Sequence, residues 1–297
     1  MGMRVGFVGL GTMGRPMALN VLRARHEMTV FDVDRDAVEA LVRAGAKPAA
    51  CAREAADGAE VVISMLPASR HVEAAMFGPE GVIAGLAHGA TVIDMSTIDP
   101  ATSRRVAAAV GERGGRMLDA PVSGSSVGAE QGTLTIMVGG DAHVLEEHHE
   151  LLATMGSNVI HCGPAGSGET VKLCNNLVAG ATMAAVAEAF ALGHRLGCDS
   201  QVLFDVMAKS SANCWALQTR PPVAGLVETA PANQEYAPGF MTDLMHKDLG
   251  LVLTAASEVQ QPLAMAAAAQ QLYALASRQG HGRRDFSAVF KVLEVET

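Results

Sequence analysis

The sequence predicts an α/β domain with a parallel sheet at residues 1–163, followed by an all-α domain at residues 164–297. Two observations support this division. Short apolar runs of strand length alternate with helical patterns until Gly163-Pro164-Ala165-Gly166, which marks a boundary. Beyond it the strand signals fade, and residues 167–196 form one long helical pattern rich in Ala, Leu, Val and Met.

The first element, residues 4–18, is an apolar run that breaks into three glycines and then becomes a helical pattern. A run that is apolar on both faces suits a parallel strand buried under helices. Gly9 permits a tight turn, Gly11 lets the backbone approach a pyrophosphate, and Gly14 lets the helix pack close to the strand. The segment therefore predicts a Rossmann dinucleotide site, with cofactor contacts from Gly9, Leu10, Gly11, Thr12, Met13 and Gly14.

The second strand pattern, residues 28–31, ends at Asp32, about 20 residues past the glycines, where an acidic residue reaches the adenosine ribose. A carboxylate there accepts hydrogen bonds from a free 2′-hydroxyl and repels a 2′-phosphate, so NAD is favoured over NADP. The alternative for Asp32 is an ordinary turn residue at a strand end. Arg35 follows closely and could pair with a phosphate, although a solvated surface charge explains it more simply.

Bulk composition excludes several classes of partner. A net charge of −9 and a pI near 5.5 argue against nucleic acid or an acidic membrane surface as a partner. The five cysteines include no CxxC pair and no histidine at metal-ligand spacing, so we expect no metal and a reducing, cytoplasmic location. The N-terminus lacks a secretory pattern, and the uncharged window at residues 259–277 suits a core helix better than a membrane span.

Two further strand patterns, residues 60–65 and 90–94, lead into Leu66-Pro67 and Thr97. The carboxyl ends of parallel strands meet at one edge of the sheet, where ligands of Rossmann domains lie. We therefore expect Leu66, Pro67 and Thr97 to contact the dinucleotide, although a simple strand-ending proline explains Pro67 equally well. Asp99 is predicted to cap a helix that begins at Pro100.

A second glycine-rich stretch, DAPVSGSSVGAEQG at residues 119–132, is predicted to be a loop. Ser123, Gly124 and Ser125 could present consecutive backbone N–H groups and two hydroxyls, an arrangement that suits a carboxylate. A plain surface loop is the alternative.

Within the long helical pattern, Lys172 is followed three and four positions later by Asn175 and Asn176, so the three share a helix face. Such groups are costly to bury unless they meet a ligand or one another. We expect a neutral Lys172 to take the proton of a substrate alcohol while hydride leaves for a nicotinamide. A surface lysine with a partly buried stem is the alternative.

Four motifs together resemble the β-hydroxyacid dehydrogenase family, and the resemblance covers nearly the whole chain. They are GLGTMGRPMA at 9–18, DAPVSGSSVGAEQGTL at 119–134, GETVKLCNNL at 168–177 and FMTDLMHKDLGL at 240–251. The resemblance implies NAD-dependent oxidation of 3-hydroxyisobutyrate to methylmalonate semialdehyde, a step of valine breakdown. Sister activities are the alternatives, namely reduction of tartronate or succinate semialdehyde, or oxidation of glycerate or serine. A non-catalytic NAD-binding module is a further alternative.

The resemblance also implies roles for individual residues. Ser123 and Gly124 would bind the substrate carboxylate, Lys172 would be the acid–base group, and Asn176 would orient the substrate. The remaining implied contacts are Thr97 and Lys247 to the cofactor, with Phe240 and Asp248 completing the site from the helical domain. Apart from the resemblance, we expect Ser125 and Trp215 to contact the substrate.

Lys247, Trp215 and Ser125 each have an alternative interpretation or depart from the family pattern, and the sequence also predicts an oligomeric state. Lys247 could merely pair with Asp243 one turn earlier, and Trp215 could simply fill the core. Ser125 departs from the family, where a glycine is usual after Ser-Gly, so the substrate is less constrained than the reaction. The alanine-rich helices and the resemblance imply a homodimer or homotetramer.

Overall fold

The computed structural model describes residues 2–294, and the chain forms two compact units, Met1–Lys172 and Leu173–Thr297. All the strands of the described residues lie in the first unit, and the second is mostly helical. The predicted fold class, a Rossmann domain followed by an all-α region, is confirmed.

One sheet of nine strands organises the described part of the first unit. Its strands are β1 (Arg4–Val8), β2 (Glu27–Phe31), β3 (Lys47–Pro48), β4 (Val61–Ser64), β5 (Thr91–Asp94), β6 (Arg116–Asp119), β7 (Val122–Ser123), β8 (Thr135–Gly139) and β9 (Asn158–Gly163). The order is β3-β2-β1-β4-β5-β6-β8-β7, with β9 beside β8. From β3 to β6 all neighbours are parallel, as in a doubly wound dinucleotide-binding sheet, whereas β8 runs antiparallel to β6 and β7.

Helices cover both faces of this sheet. They are α1 (Gly14–Arg23), α2 (Arg35–Arg43), α3 (Ala52–Ala56), α4 (Ser69–Met76), α5 (Val82–Gly85), α6 (Pro100–Glu112), α7 (Ser125–Gln131) and α8 (Ala142–Ala153). Alternate strand residues point to opposite faces, so Phe7 belongs to one buried cluster and its neighbour Val8 to the other. As predicted, Asp99 caps α6, its carboxylate accepting a hydrogen bond from the Thr102 N–H.

Residues 119–132 do not form the predicted loop, because they contain the short strand β7 and the helix α7. The change of direction falls at Gly124 and Ser125, whose φ angles are 140° and 63°. The α7 segment buries only small residues, Gly128 and Ala129, and therefore lacks the large apolar side chains that usually mark a helix in a sequence.

Helix α9 (Ser167–Arg195) begins in the first unit and continues through the start of the second. Among the described residues it is the one helix long and apolar enough to cross a membrane, by length and composition alone. It nevertheless buries Glu169, Lys172 and Asn176, and its apolar side chains Met183 and Phe190 lie in the core of the second unit. The burial of these polar groups fits the core helix of a folded domain.

The other helices of the second unit pack around the aromatic core residues Phe190, Tyr273, Phe286 and Phe290. They are α10 (Ser200–Lys209), α11 (Trp215–Thr219), α12 (Thr242–Glu258) and α13 (Ala264–Ala276), with 3₁₀ turns at Pro231–Gln234 and Phe286–Val292 and a π-helical turn at Ser277–His281. The buried Tyr273 hydroxyl donates to the carbonyl of Gly180 on α9 at 3.0 Å, which satisfies its polar end.

Candidate active site

The three glycines of the first turn serve different purposes. A Cβ on Gly9, whose φ is 95°, would lie 2.3 Å from the Met65 carbonyl oxygen, and one on Gly14 would lie 2.0 Å from that of Gly9. Both positions are therefore closed by backbone. At Gly11 an added Cβ meets no atom of the described chain within 4 Å, so open space lies next to the turn. Space there, beside the start of α1, fits a pyrophosphate.

Asp32 lies at the end of β2 and holds this turn in place. Its Oδ2 accepts a hydrogen bond from the Leu10 N–H at 2.5 Å, and its Oδ1 accepts one from the Asp34 N–H at 2.8 Å. Each carboxylate oxygen has a second lone-pair site, so Asp32 can still accept bonds from ribose hydroxyls. Arg35 is the exposed first residue of α2.

The ends of β4 and β5 are joined by a buried polar network around Asp94. Its Oδ1 accepts hydrogen bonds from the hydroxyls of Ser64 and Ser96 at 2.7 and 2.6 Å. The Ser96 hydroxyl in turn accepts from the Leu66 N–H at 2.9 Å. Burial raises the pKa of the Asp94 carboxyl, against the hydrogen bonds from both serines. This network holds the backbone of Leu66. The two other residues predicted here to contact the cofactor lie next to the network: Pro67 is exposed and Thr97 is half-buried.

Lys172 lies in the second turn of α9 and is only 5% exposed. The helix start is held by Asp119 at the end of β6, which accepts from the N–H groups of Gly166 at 2.7 Å and Glu169 at 3.0 Å. Burial raises the pKa of Asp119, and these hydrogen bonds oppose the shift. The surface-lysine alternative is wrong, because the Lys172 side chain is buried.

The junction of β7 and α7 carries the three residues expected to meet a carboxylate. Ser123 and Ser125 are half-buried, and Gly124 is exposed. With a φ of 63°, Ser125 occupies the left-handed region that a glycine adopts without cost. This conformation gives a physical reason for the glycine that the resemblance leads us to expect at this position.

In the second unit, the buried Asn176, Asp248 and the partly exposed Lys247 form one cluster. The Asn176 amide donates to Asp248 Oδ2 at 2.6 Å, and Lys247 Nζ lies 2.9 Å from Asp248 Oδ1. The Asn176 carbonyl accepts from the Asn175 amide at 3.0 Å. Asp243, the alternative partner of Lys247, accepts a hydrogen bond from the Ser277 hydroxyl at 2.6 Å.

Trp215 and Phe240 share one aromatic partner, Phe286. Their ring centroids lie 6.5 and 5.9 Å from that of Phe286, stacked for Trp215 and edge-on for Phe240. Trp215 is 55% exposed, so the alternative that it simply fills the core is wrong, and its contact with substrate stays a prediction. An exposed indole rests on a core phenylalanine here and presents its other face outward.

The support of this aromatic group was not anticipated from the sequence. The fully buried Asp285 accepts a hydrogen bond from the Phe240 N–H at 3.1 Å and pairs with Arg220 at 2.5 Å. The Arg220 guanidinium also lies 5.6 Å from the centre of the Trp215 ring. Asp285 and Arg220 thereby join three segments that are distant in sequence.

Two protein-family models together match nearly the whole chain. A family model described as the NAD binding domain of 6-phosphogluconate dehydrogenase matches residues 4–163. A second, described as NAD-binding of NADP-dependent 3-hydroxyisobutyrate dehydrogenase, matches residues 166–293. The chain belongs to the β-hydroxyacid dehydrogenase family.

Within the β-hydroxyacid dehydrogenases, two relatives from Pseudomonas aeruginosa are similar over nearly their full length. An NAD-dependent L-serine dehydrogenase is 47% identical over 291 residues, 98% of both chains. A 3-hydroxyisobutyrate dehydrogenase is 45% identical over 290 residues, 97% of both chains. The solved structure of the Mycobacterium tuberculosis 3-hydroxyisobutyrate dehydrogenase with L-serine is also similar, with a TM-score of 0.94 and 40% identity over 99% of this chain and all of that one.

This member of the β-hydroxyacid dehydrogenase family is therefore an NAD-dependent hydroxyacid dehydrogenase, and the predicted family and cofactor are confirmed. The glycine turn and Asp32 are the residues of this chain that fit NAD, because one offers open space beside a helix start and the other free acceptor sites.

Proposed function

We propose that this dehydrogenase oxidises the primary alcohol of 3-hydroxyisobutyrate to methylmalonate semialdehyde, a step of valine breakdown. The observation that carries the proposal is the burial of Lys172, 5% exposed, on a helix whose first turn is hydrogen-bonded to Asp119 at the end of β6 and to Ile98 in the segment after β5. The 45% identity to a 3-hydroxyisobutyrate dehydrogenase supports the choice of substrate.

In this proposal each residue has a chemical task. The Ser123 hydroxyl and the Gly124 N–H donate to the substrate carboxylate and fix the acid end. Neutral Lys172 accepts the alcohol proton at Nζ, the C–O bond becomes a carbonyl, and in the reverse direction the ammonium returns the proton. Asn176, one helical turn further on and held by Asp248, orients the substrate. NAD bound at the glycine turn would supply the acceptor for the hydride of the alcohol carbon.

L-Serine is a second candidate substrate, because it is also a 3-hydroxy acid with a primary alcohol. Two observations favour it: the 47% identity to an L-serine dehydrogenase, and the extra hydroxyl that Ser125 brings beside the proposed carboxylate site. That hydroxyl could accept a hydrogen bond from the amino group that serine has and 3-hydroxyisobutyrate lacks.

Initial rates of formation of the reduced cofactor, NADH or NADPH, distinguish the two candidate substrates. Both enantiomers of 3-hydroxyisobutyrate and of serine are compared with glycerate, using NAD and NADP in parallel. We expect the highest kcat/KM for 3-hydroxyisobutyrate with NAD. A higher value for L-serine would move the protein to the second candidate, and no turnover of any acid would contradict both.

The role of Lys172 is tested by Lys172→Ala. We expect kcat to fall by about 10²–10⁴-fold, as for the loss of a general acid–base group, while NAD affinity changes far less. Turnover comparable with the wild type would refute the assignment.

We also propose that the protein associates with itself as a dimer or tetramer. Helix α10 has no buried residue, and Val202 and Val206 on it are 55% and 58% exposed. Apolar side chains exposed together on one helix favour a contact with a second copy. Light scattering after size-exclusion chromatography tests this, and a monomer across the concentration range would contradict it.

A further inference from the structure

The start of α9 is held by two carboxylates, one at the end of a strand and one on the helix itself. Asp119, at the end of β6, accepts from the N–H groups of Gly166 and Glu169. Glu169 itself is fully buried, and its Oε2 accepts a hydrogen bond from the Ile98 N–H at 3.1 Å. Negative groups are favoured at the N-terminus of a helix, which helps to offset the cost of burying both.

The contact of Glu169 with Ile98 joins two segments that the proposed reaction uses. Ile98 directly follows Thr97, the residue expected to contact the cofactor, and Glu169 precedes Lys172 by three residues, about one turn of the same helix. Both ends of the link are buried, since Ile98 is also fully buried. Because Glu169 and Lys172 lie on the same helix, a change in the Glu169–Ile98 contact should also move Lys172 relative to the segment after β5.

Gly168, next to Glu169, packs closely against the backbone of the sheet. A Cβ on Gly168 would lie 2.3 Å from the Met137 carbonyl oxygen and 2.7 Å from that of Asp119. The turn therefore lies directly against the sheet at Gly168, which restricts movement of the backbone next to position 169.

We infer that Glu169 is a positioning residue of the dehydrogenase, whose hydrogen bond to Ile98 fixes Lys172 relative to the cofactor-contacting segment at Thr97. This inference rests on the proposed function, because it assumes that Lys172 is the acid–base group. What matters is an acceptor oxygen at the end of a side chain of this length.

Two variants separate reach from charge. Glu169→Asp keeps the carboxylate but withdraws it by one methylene, whereas Glu169→Gln keeps the length and an acceptor oxygen without the charge. For Glu169→Asp we expect kcat to fall by roughly 10-fold or more, since a displacement of about 1 Å can cost up to 10²-fold. Glu169→Gln should retain most of the wild-type kcat.

Two further readouts distinguish positioning from a general loss of structure. NAD affinity, measured by titration without substrate, should change little in Glu169→Asp. The isotope effect on kcat with substrate deuterated at the alcohol carbon should rise, because the chemical step becomes slower relative to product release. A loss of NAD affinity that parallels the loss of kcat would overturn the inference.

Equal losses of kcat in Glu169→Asp and Glu169→Gln would also overturn the inference, since the charge of Glu169 would then be required as well as its length. The proposed function fails separately. If Lys172→Ala turns over like the wild type, the role of Lys172 is wrong, whereas an inactive Lys172→Ala beside a fully active Glu169→Asp refutes only the positioning role.

Discussion

Asp32 accepts the Leu10 N–H at 2.5 Å, so the residue expected to bind the ribose also holds the glycine-rich turn. The two tasks use different lone pairs of one carboxylate. We therefore expect a substitution that removes the carboxylate at position 32 to alter the geometry of the turn as well as the choice between the cofactors.

For this reason the effect of Asp32→Ala is best measured as the ratio of kcat/KM with NAD to kcat/KM with NADP. We expect kcat/KM to fall with both cofactors, because the turn loses its acceptor, and to fall less with NADP, because the repulsion of the 2′-phosphate is removed. Steady-state kinetics with each cofactor give the ratio. Asp34→Ala is the matched control, since it removes the cap of α2 and should leave the ratio unchanged. If NADP does not gain relative to NAD in Asp32→Ala, our account of Asp32 is wrong.

Replacement of Asp248 tests the cluster on α9 and α12. Asp248→Ala leaves the buried Asn176 amide without its acceptor, which should lower the free energy of unfolding by about 1–3 kcal/mol. We also expect kcat to fall, because Asn176 is no longer held. Urea unfolding and initial rates measure the two effects.

The control for Asp248 lies on the same helix. Asp243 is exposed, and its carboxylate contacts the Ser277 hydroxyl, so Asp243→Ala should leave kcat near the wild-type value. Equal losses of kcat in both variants would show that the effect is not specific to the cluster.

Ser125→Gly tests whether the departure from the family pattern selects the substrate. Glycine relieves a left-handed conformation but gains more freedom in the unfolded chain, so stability should change by no more than about 1 kcal/mol. If the hydroxyl serves an amino group, kcat/KM for L-serine should fall more than that for 3-hydroxyisobutyrate. Ser126→Ala on the same helix is the control, and an unchanged ratio in Ser125→Gly would remove this residue from the specificity argument.

His148 predicts a specific pH dependence of stability. Its ring is 6% exposed, and neither ring nitrogen has a hydrogen-bond partner among the described residues. Burial, and secondarily the charge of Arg116, lowers its pKa below the usual 6.5. The unfolded chain then binds more protons, so this site makes the fold less stable as pH falls through about 6.5.

His148→Leu removes that titration. The free energy of unfolding of the variant minus that of the wild type should be higher at pH 5.5 than at pH 8, because the variant escapes the loss of stability at low pH. His149→Leu, at the exposed neighbouring position, should show a smaller pH-dependent difference. A difference for His148→Leu that is independent of pH would contradict the burial argument.

The features visible in the sequence are those set by residues near one another in the chain. The glycine turn, the Asp99 cap and the extent of α9 each depend on a few neighbouring positions. The Asn176–Asp248 bond spans 72 residues and the Arg220–Asp285 pair spans 65, so no local pattern predicts them. Helix α7 was missed for another reason, because small polar residues favour a loop and tertiary contacts decide their conformation.

The three glycines of the first turn differ in what they offer an experimenter. A side chain at Gly9 or Gly14 would collide with the protein's own backbone, whereas one at Gly11 would project away from the chain. Gly11→Val should therefore fold normally while excluding the dinucleotide. Introduced in place of the native gene product, such a variant would tell whether a cell depends on the reaction or merely on the presence of the protein.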